Sequence, residues 1–262
     1  MARFCPLFSG SSGNSIYIGT SETGILVDIG MNAKQTTLAL ERMGINPDSI
    51  KAVFITHEHS DHINGLRVFA ARHGLNVYSS KGTLDALDNN GVLNGKFFAD
   101  EIASGVEVDG MNITAFRTPH DSKESVGYKI EMPGGRKAAV VTDLGIMTDE
   151  IMSAISGCDL VLIESNHDVK MLQNGAYPYY LKRRILSDDG HLSNENCAKA
   201  VTELIKTGTT RFFLGHLSRE NNIPELAYQN TYSALMDCGA KEGEDFLLSV
   251  APRCNPDKIT IF

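Results

Sequence analysis

Apolar and polar positions follow two rhythms along this chain. Short runs of aliphatic and β-branched residues, Arg3–Phe8, Ser15–Ile18 and Gly24–Asp28, are separated by turns rich in glycine and serine and predict strands. Lys34–Met43 places apolar side chains at helical spacing (Leu38, Leu40, Met43) and stops at Gly44, a usual helix-ending glycine. Lys51–Thr56 predicts a buried strand, and Ile63–His73 an amphipathic helix ended by Gly74. A strand at Asn76–Tyr78, a helix at Thr83–Asn89 and strands at Met111–Phe116, Val126–Glu131 and Lys137–Thr142 follow.

The second half repeats the alternation. A helix at Asp149–Ser156 leads into a strand at Leu160–Glu164. Pro178 is placed for the first turn of a helix reaching Ser187, and Ser193 for the N-cap of a helix over Asn194–Thr207, with Glu195 near the positive end of its dipole. A strand at Arg211–Leu214, a helix at Pro224–Cys238 and strands at Phe246–Val250 and Lys258–Ile261 complete the chain. Strands precede helices in both halves, with antiparallel hairpins mixed in. The expected class is α/β, an αββα sandwich of two mixed sheets packed face to face with helices outside, built as one domain over residues 1–262.

Composition narrows the picture without deciding function. At 42% hydrophobic and 21% charged residues the chain can bury a core. It has no apolar run of about 20 residues, so no membrane segment or membrane partner is expected. Five scattered cysteines without C-x-x-C spacing argue against a disulfide framework or a thiolate zinc site, and fit a reducing cytoplasm. The formal charge of -8 argues against nonspecific coating of nucleic acid, while leaving room for a local basic patch.

Candidate chemistry concentrates in Thr56-His57-Glu58-His59-Ser60-Asp61-His62, just past a predicted strand. Imidazoles and carboxylates bind borderline divalent metals, and residues at i and i+2 of such a loop can converge on one ion while Asp61 and His62 face a second. This H-x-H-x-D-H run resembles the hallmark of the metallo-β-lactamase superfamily. Leu26-Val27-Asp28-Ile29-Gly30, Thr118-Pro119-His120, Val141-Thr142-Asp143 and Leu214-Gly215-His216 look like its other motifs, in the same order. The resemblance implies one metal on His57, His59 and His120, a second on Asp61, His62 and His216, and Asp143 bridging them. It also implies that Asp28 hydrogen-bonds the motif loop and orients its ligands. Two divalent ions, zinc or manganese with iron also compatible, would serve metal-assisted hydrolysis, with Asp61 and Asp143 at the reacting centre.

Further features point toward phosphodiesters. Ile163-Glu164-Ser165-Asn166-His167-Asp168 and Gly190-His191-Leu192-Ser193 resemble extra motifs of tRNA 3′-end nucleases, where a glutamate orients a histidine that protonates the leaving alkoxide. That resemblance assigns Glu164 and His191 as a dyad within hydrogen-bond reach, with His167 as the alternative donor. Only 22 residues separate His120 from Asp143 and 72 separate Asp143 from His216, too few for the tRNA-clamping arm or the large cap domain of other nucleases. With Ser9–Ser15, Tyr177-Pro178 and Arg184–Asp188, the chain is most similar to the small YycJ-like branch, which implies a 5′-to-3′ exonuclease acting on DNA rather than RNA. Lys170, Lys182, Arg183 and Arg184 face only Asp168 between Asn166 and Leu186, a local +3, with Tyr177, Tyr179 and Tyr180 interleaved as candidate base-stacking groups. These cations are candidate backbone contacts, and Ser11, Ser12 and Asn14 are candidates to hold a terminal phosphate.

Three other readings predict different behaviour. A phosphodiesterase for a cyclic phosphate or nucleotide needs a closed pocket and shows no salt-dependent polymer binding. A glyoxalase-type thioester hydrolase is disfavoured because Asp121-Ser122 follows His120. A noncatalytic metal-stabilised module would be expected to lack ligands that this chain retains.

Overall fold

A computed structural model describes residues 1–254 and 256–262. The strands form two mixed sheets of seven, with helices around them, the expected fold class. The chain forms two compact units: Met1–Ala115 with Ser122–Arg136 and Pro252–Phe262, and Phe116–Asp121 with Lys137–Ala251.

The first unit contains β1 (Arg3–Phe8), β2 (Ser15–Gly19), β3 (Gly24–Val27), α1 (Ala33–Arg42) and β4 (Ile50–Phe54). Next come α2 (Ser60–Ile63), α3 (Leu66–His73), β5 (Asn76–Ser79), α4 (Lys81–Asn89) and β6 (Ala99–Glu101). β7 (Val106–Val108), β8 (Met111–Arg117) and β9 (Val126–Glu131) follow, although β8 ends at residues of the second unit. The second unit carries β10 (Lys137–Val141), α5 (Asp149–Ile155), β11 (Leu160–Glu164), α6 (Val169–Asn174) and α7 (Tyr179–Ile185). It continues with α8 (Asn194–Ile205), β12 (Arg211–Gly215), α9 (Pro224–Asp237) and β13 (Leu247–Val250), and β14 (Thr260–Ile261) returns to the first unit.

The first sheet runs β14-β1-β2-β3-β4-β5-β6, antiparallel from β14 to β3 and parallel from β3 to β6. The second runs β13-β12-β11-β10-β9-β8-β7, with β10 to β13 parallel and β7 and β8 antiparallel. Each unit has its own core. Leu26, Val53, Leu66, Phe69 and Leu87 anchor one, and Val141, Val161, Ile163, Leu204, Phe212 and Leu214 the other. The parallel strands β3, β11 and β12 are buried along almost their whole length, so they read as continuous apolar runs. Among the described residues no helix is long and apolar enough to cross a membrane.

Three expectations need correcting. The helix predicted over Ile63–His73 begins at Ser60 and is interrupted at Asn64–Gly65, where Gly65 N–H donates to Ile29 O (2.9 Å) instead of continuing one helix. Pro178 is the N-cap of α7 rather than part of its first turn. α6, β6 and β7 were not anticipated: the strands are three residues each and partly exposed, and α6 buries only Leu172, so none leaves a periodic pattern.

Backbone stitching holds the start of α2 against the β1–β2 loop. Asn14 N–H donates to Asp61 O (2.8 Å), Gly30 N–H to Asn14 O (2.7 Å), and Ile29 N–H to His62 O (2.8 Å). A Cβ on Gly30 would lie 1.7 Å from Asp61 O, so only glycine permits this approach. Gly30→Ala should therefore destabilise the protein by about 1–3 kcal/mol or more in denaturant unfolding, as overpacking does. A stability equal to wild type would show that these loops yield.

Candidate metal centre

In the first unit the site begins where two parallel strands end. β3 and β4 pair Val27 with Phe54, which brings Asp28 beside Thr56. Asp28 adopts a left-handed backbone (φ 62°), unusual for a non-glycine residue but tolerated by aspartate. Its Oδ1 accepts from Thr56 N–H (2.8 Å), and its Oδ2 accepts from the Thr56 hydroxyl (2.9 Å) and lies 2.7 Å from His62 Nδ1. Burial pushes the Asp28 carboxyl above its ordinary pKa, and the His62 imidazole and Thr56 hydrogen bonds oppose that rise.

These contacts dictate tautomers. An ionised carboxylate only accepts, so His62 Nδ1 carries the proton and presents Nε2 as the metal-binding atom. The Thr56 hydroxyl gives its single proton to Asp28, so it accepts from His57 Nδ1 (3.0 Å), and His57 likewise presents Nε2. His57 Nε2 lies 3.1 Å from His59 Nδ1, and Asp61 Oδ2 lies 3.5 Å from His62 Nε2. Two ligand atoms about 2.0–2.1 Å from one tetrahedral ion lie about 3.3–3.4 Å apart, so both pairs fit shared coordination.

The second unit uses three parallel strand ends. β10, β11 and β12 align Val141, Ile163 and Leu214, so Asp143, Glu164 and His216 emerge together at their carboxyl ends. Asp143 (φ 57°) and His216 (φ 53°) are also left-handed, which means three of the four non-glycine residues with positive φ among those described are candidate site residues. Glu164 is completely buried. Its Oε1 accepts from His191 Nδ1 (2.7 Å) and His216 Nδ1 (2.9 Å), and its Oε2 from the N–H groups of Leu144 (2.9 Å) and Leu192 (3.3 Å). Burial alone would raise this carboxyl, but the His191 charge and the histidine hydrogen bonds outweigh it and bring its pKa down to about 2.

Asp143 Oδ1 lies 3.1 Å from His216 Nδ1, 3.7 Å from His191 Nδ1 and 3.9 Å from His120 Nε2. His120 Nδ1 donates to Gly190 O (3.1 Å), which turns its Nε2 toward Asp143. Burial, partly offset by Asp143, lowers the His120 pKa and favours the neutral form that ligates metals. Candidate ligand atoms of Asp143, Glu164, His191 and His216 all lie within 4.8 Å of one another. The histidine and aspartate clusters of this chain suit a dinuclear metal site.

The remaining candidates divide. His167 is 1% exposed, neither ring nitrogen has a hydrogen-bond partner among the described residues, and burial lowers its pKa to about 4. It is neutral at physiological pH and lacks the carboxylate partner that His191 has in Glu164. Ser11 and Ser12 are exposed, but Asn14 is buried and otherwise engaged. Its Oδ1 accepts from Gly10 N–H (2.9 Å), and its Nδ2 lies 3.3 Å from Asp61 Oδ2 and 3.1 Å from His62 Nε2, so it braces the ligand loop and is not displayed to a phosphate. Lys182 Nζ donates to Gln173 O (2.8 Å) and Gly175 O (2.7 Å), and Arg184 binds both oxygens of Asp121, whereas Lys170 and Arg183 are exposed.

No site role was assigned from sequence to Thr56, Asp121 or the Gly190 carbonyl, or to the bond from Asn166 Nδ2 to His216 O (2.9 Å). Only Thr56, preceding the histidine run and able to hydrogen-bond through a hydroxyl, carried a local signal.

Residues 23–217 match the family model of the beta-lactamase superfamily domain. The chain is 38% identical over 249 residues to the exodeoxyribonuclease WalJ of Streptococcus pneumoniae, covering 93% of this chain and 92% of that one. It is 36% identical over 259 residues to the exodeoxyribonuclease YycJ of Bacillus anthracis, covering 98% of both. Zn(2+)-bound PqqB from Methylobacterium extorquens superposes with a TM-score of 0.75 at 19% identity over the full length of both chains. Motif order, donor geometry and a match along most of its length together establish that the chain belongs to the metallo-β-lactamase superfamily.

Proposed function

We propose that this chain is a dinuclear-metal phosphodiesterase that degrades DNA from the 5′ end, with both units forming one hydrolase domain that acts in the cytoplasm. The observation that carries this reading is the Glu164–His191 pair beside Asp143 and His216. A nucleotide's leaving alkoxide is a strong base that needs a proton, and a histidine held by a buried carboxylate can supply one. The exodeoxyribonuclease names of relatives at 38% and 36% identity support DNA as the polymer.

In this reading His57, His59 and His120 would hold one ion, and Asp61, His62 and His216 the other, with Asp143 a ligand available to both. Bound divalent ions, zinc or manganese, would supply Lewis acidity that activates water and neutralises phosphoryl oxygens. Asp28 keeps His62 in the Nδ1–H tautomer and, through Thr56, does the same for His57. Glu164 fixes His216 in the same way and stabilises the imidazolium of His191, whose Nε2 would deliver its proton to the leaving oxygen. The exposed Ser11 and Ser12 hydroxyls and the Lys170 and Arg183 side chains are the groups offered to the strand's phosphates.

The decisive experiment incubates purified protein with 5′- and 3′-labelled DNA, labelled RNA and small cyclic phosphates, each with manganese and with zinc. Stepwise loss from the 5′ end of DNA is expected. Hydrolysis of a cyclic phosphate with every polymer left intact would replace this reading.

Two substitutions probe the assigned roles. Asp143→Asn should lower the occupancy of both ions, because one carboxylate serves both, and metal analysis showing two tightly held ions with normal turnover would reassign the bridge. His191→Ala should reduce DNA cleavage by about 10²–10⁴-fold while affecting bis-p-nitrophenyl phosphate much less, since that leaving group hardly needs an acid. Equal losses on both substrates would remove His191 from the proton-donor role.

A further inference from the structure

Helix α7 displays two adjacent aromatic rings to solvent. Tyr179 is 76% exposed and Tyr180 73%, the largest aromatic exposures among the described residues. Large rings are normally buried for their apolar area, so neighbouring exposed ones call for a contact made outside the fold.

The position of α7 ties these rings to the candidate centre within the second unit. Tyr180 and Arg184 are four residues apart, on one row of the helix and separated by about 6 Å of rise. Arg184 grips Asp121 through two nitrogens, with Nη2–Oδ1 at 2.8 Å, and Asp121 Oδ1 lies 3.5 Å from Nε2 of the neighbouring His120. The turn after α7 returns to the site, with His191 N–H donating to Ile185 O (3.0 Å). The helix is thus fastened to the segments that carry His120 and His191, and its exposed rings begin one turn from that fastening.

Charge selects the occupant. Lys182 is occupied by carbonyl groups and Arg184 by Asp121, which leaves exposed Arg183 as the cation of this run beside the rings, four residues from Tyr179. An aromatic pair with a flanking guanidinium fits a strand that presents both flat bases and phosphates. We infer that Tyr179 and Tyr180 form a stacking platform for unpaired bases of the DNA strand being cut, with Arg183 on its backbone. This rests on the nuclease reading above and deepens it. Paired bases hide their faces, so the platform favours single strands and frayed ends, and every base has a face, so sequence is not selected.

The test compares the metal-loaded wild type with Tyr179→Ala, Tyr180→Ala and the two Phe variants. Substrates are a single-stranded oligonucleotide, its blunt duplex and a strand carrying abasic nucleotides. Each Ala variant should lower kcat/KM on the single strand about 10-fold, mainly through KM, with an unchanged melting temperature. Phe should restore most of the loss because it retains the ring, and on the abasic strand wild type and Ala variants should converge. Wild-type kinetics in the Ala variants, or Phe as damaging as Ala, would overturn the platform while leaving the nuclease reading standing. A wild-type protein that cuts no DNA would overturn both.

Discussion

A carboxylate buried away from water is costly unless hydrogen bonds replace its hydration, and Glu164 meets that condition with four of them. The four bonds end on three segments: the turn after β10, the loop before α8 at two points, and the first residue beyond β12. Because one group serves all of them, the relative placement of Asp143, His191 and His216 depends on a single side chain. Asp28 performs the same task in the first unit, locking Thr56 and His62 from the end of β3. In both units a buried acid at a parallel strand's carboxyl end fixes the Nδ1 proton of an imidazole, which decides that Nε2 faces outward.

This arrangement explains where backbone strain is tolerated. Asp28, Asp143 and His216 sit in the left-handed region, at a cost of order 1–3 kcal/mol each for conformations that the surroundings must enforce. The positive φ lets the chain leave a buried strand and turn its side chain back across the sheet's end within one or two residues. His216 is held there from both directions, since its ring binds Glu164 and its carbonyl accepts from Asn166. The loop that carries His191 is secured differently, by close backbone approach: a Cβ on Gly190 would lie 2.3 Å from Arg184 O and 2.4 Å from Ile185 O. His191 is therefore coupled to α7 through main chain rather than through a packed side chain.

Much of this was legible in sequence because an apolar run that stops at a ligand is both a fold signal and a site signal. Val140-Val141-Thr142-Asp143, Leu162-Ile163-Glu164 and Phe213-Leu214-Gly215-His216 each declare a buried strand and the group displayed at its end. What stayed hidden was who pairs with whom. Arg184 and Asp121 are 63 residues apart, and nothing local distinguishes a guanidinium meant for phosphate from one neutralised inside the fold. Asn14 was misassigned for the same reason: a polar residue in a glycine-rich loop suggests a binding turn, and only tertiary packing shows its amide against Asp61 and His62. The single helix read over Ile63–His73 failed because apolar spacing is blind to the tertiary bond that draws Gly65 N–H to Ile29.

Net charge looks at first like an obstacle to a polyanionic substrate. The acidic side chains around the candidate centre, however, have other tasks: Asp28 and Glu164 hold imidazoles, and Asp61 and Asp143 are candidate metal donors. Two divalent ions bound there would bring four positive charges to offset these carboxylates, whatever the chain's total. Electrostatic steering depends on that local potential, because at physiological ionic strength charges beyond about 8 Å are largely screened. A site organised this way has little need of a broad basic surface. Its hold on a strand would rest on the ions at the scissile phosphate and on a few contacts close by, and an overall acidic surface then disfavours binding of nucleic acid anywhere else.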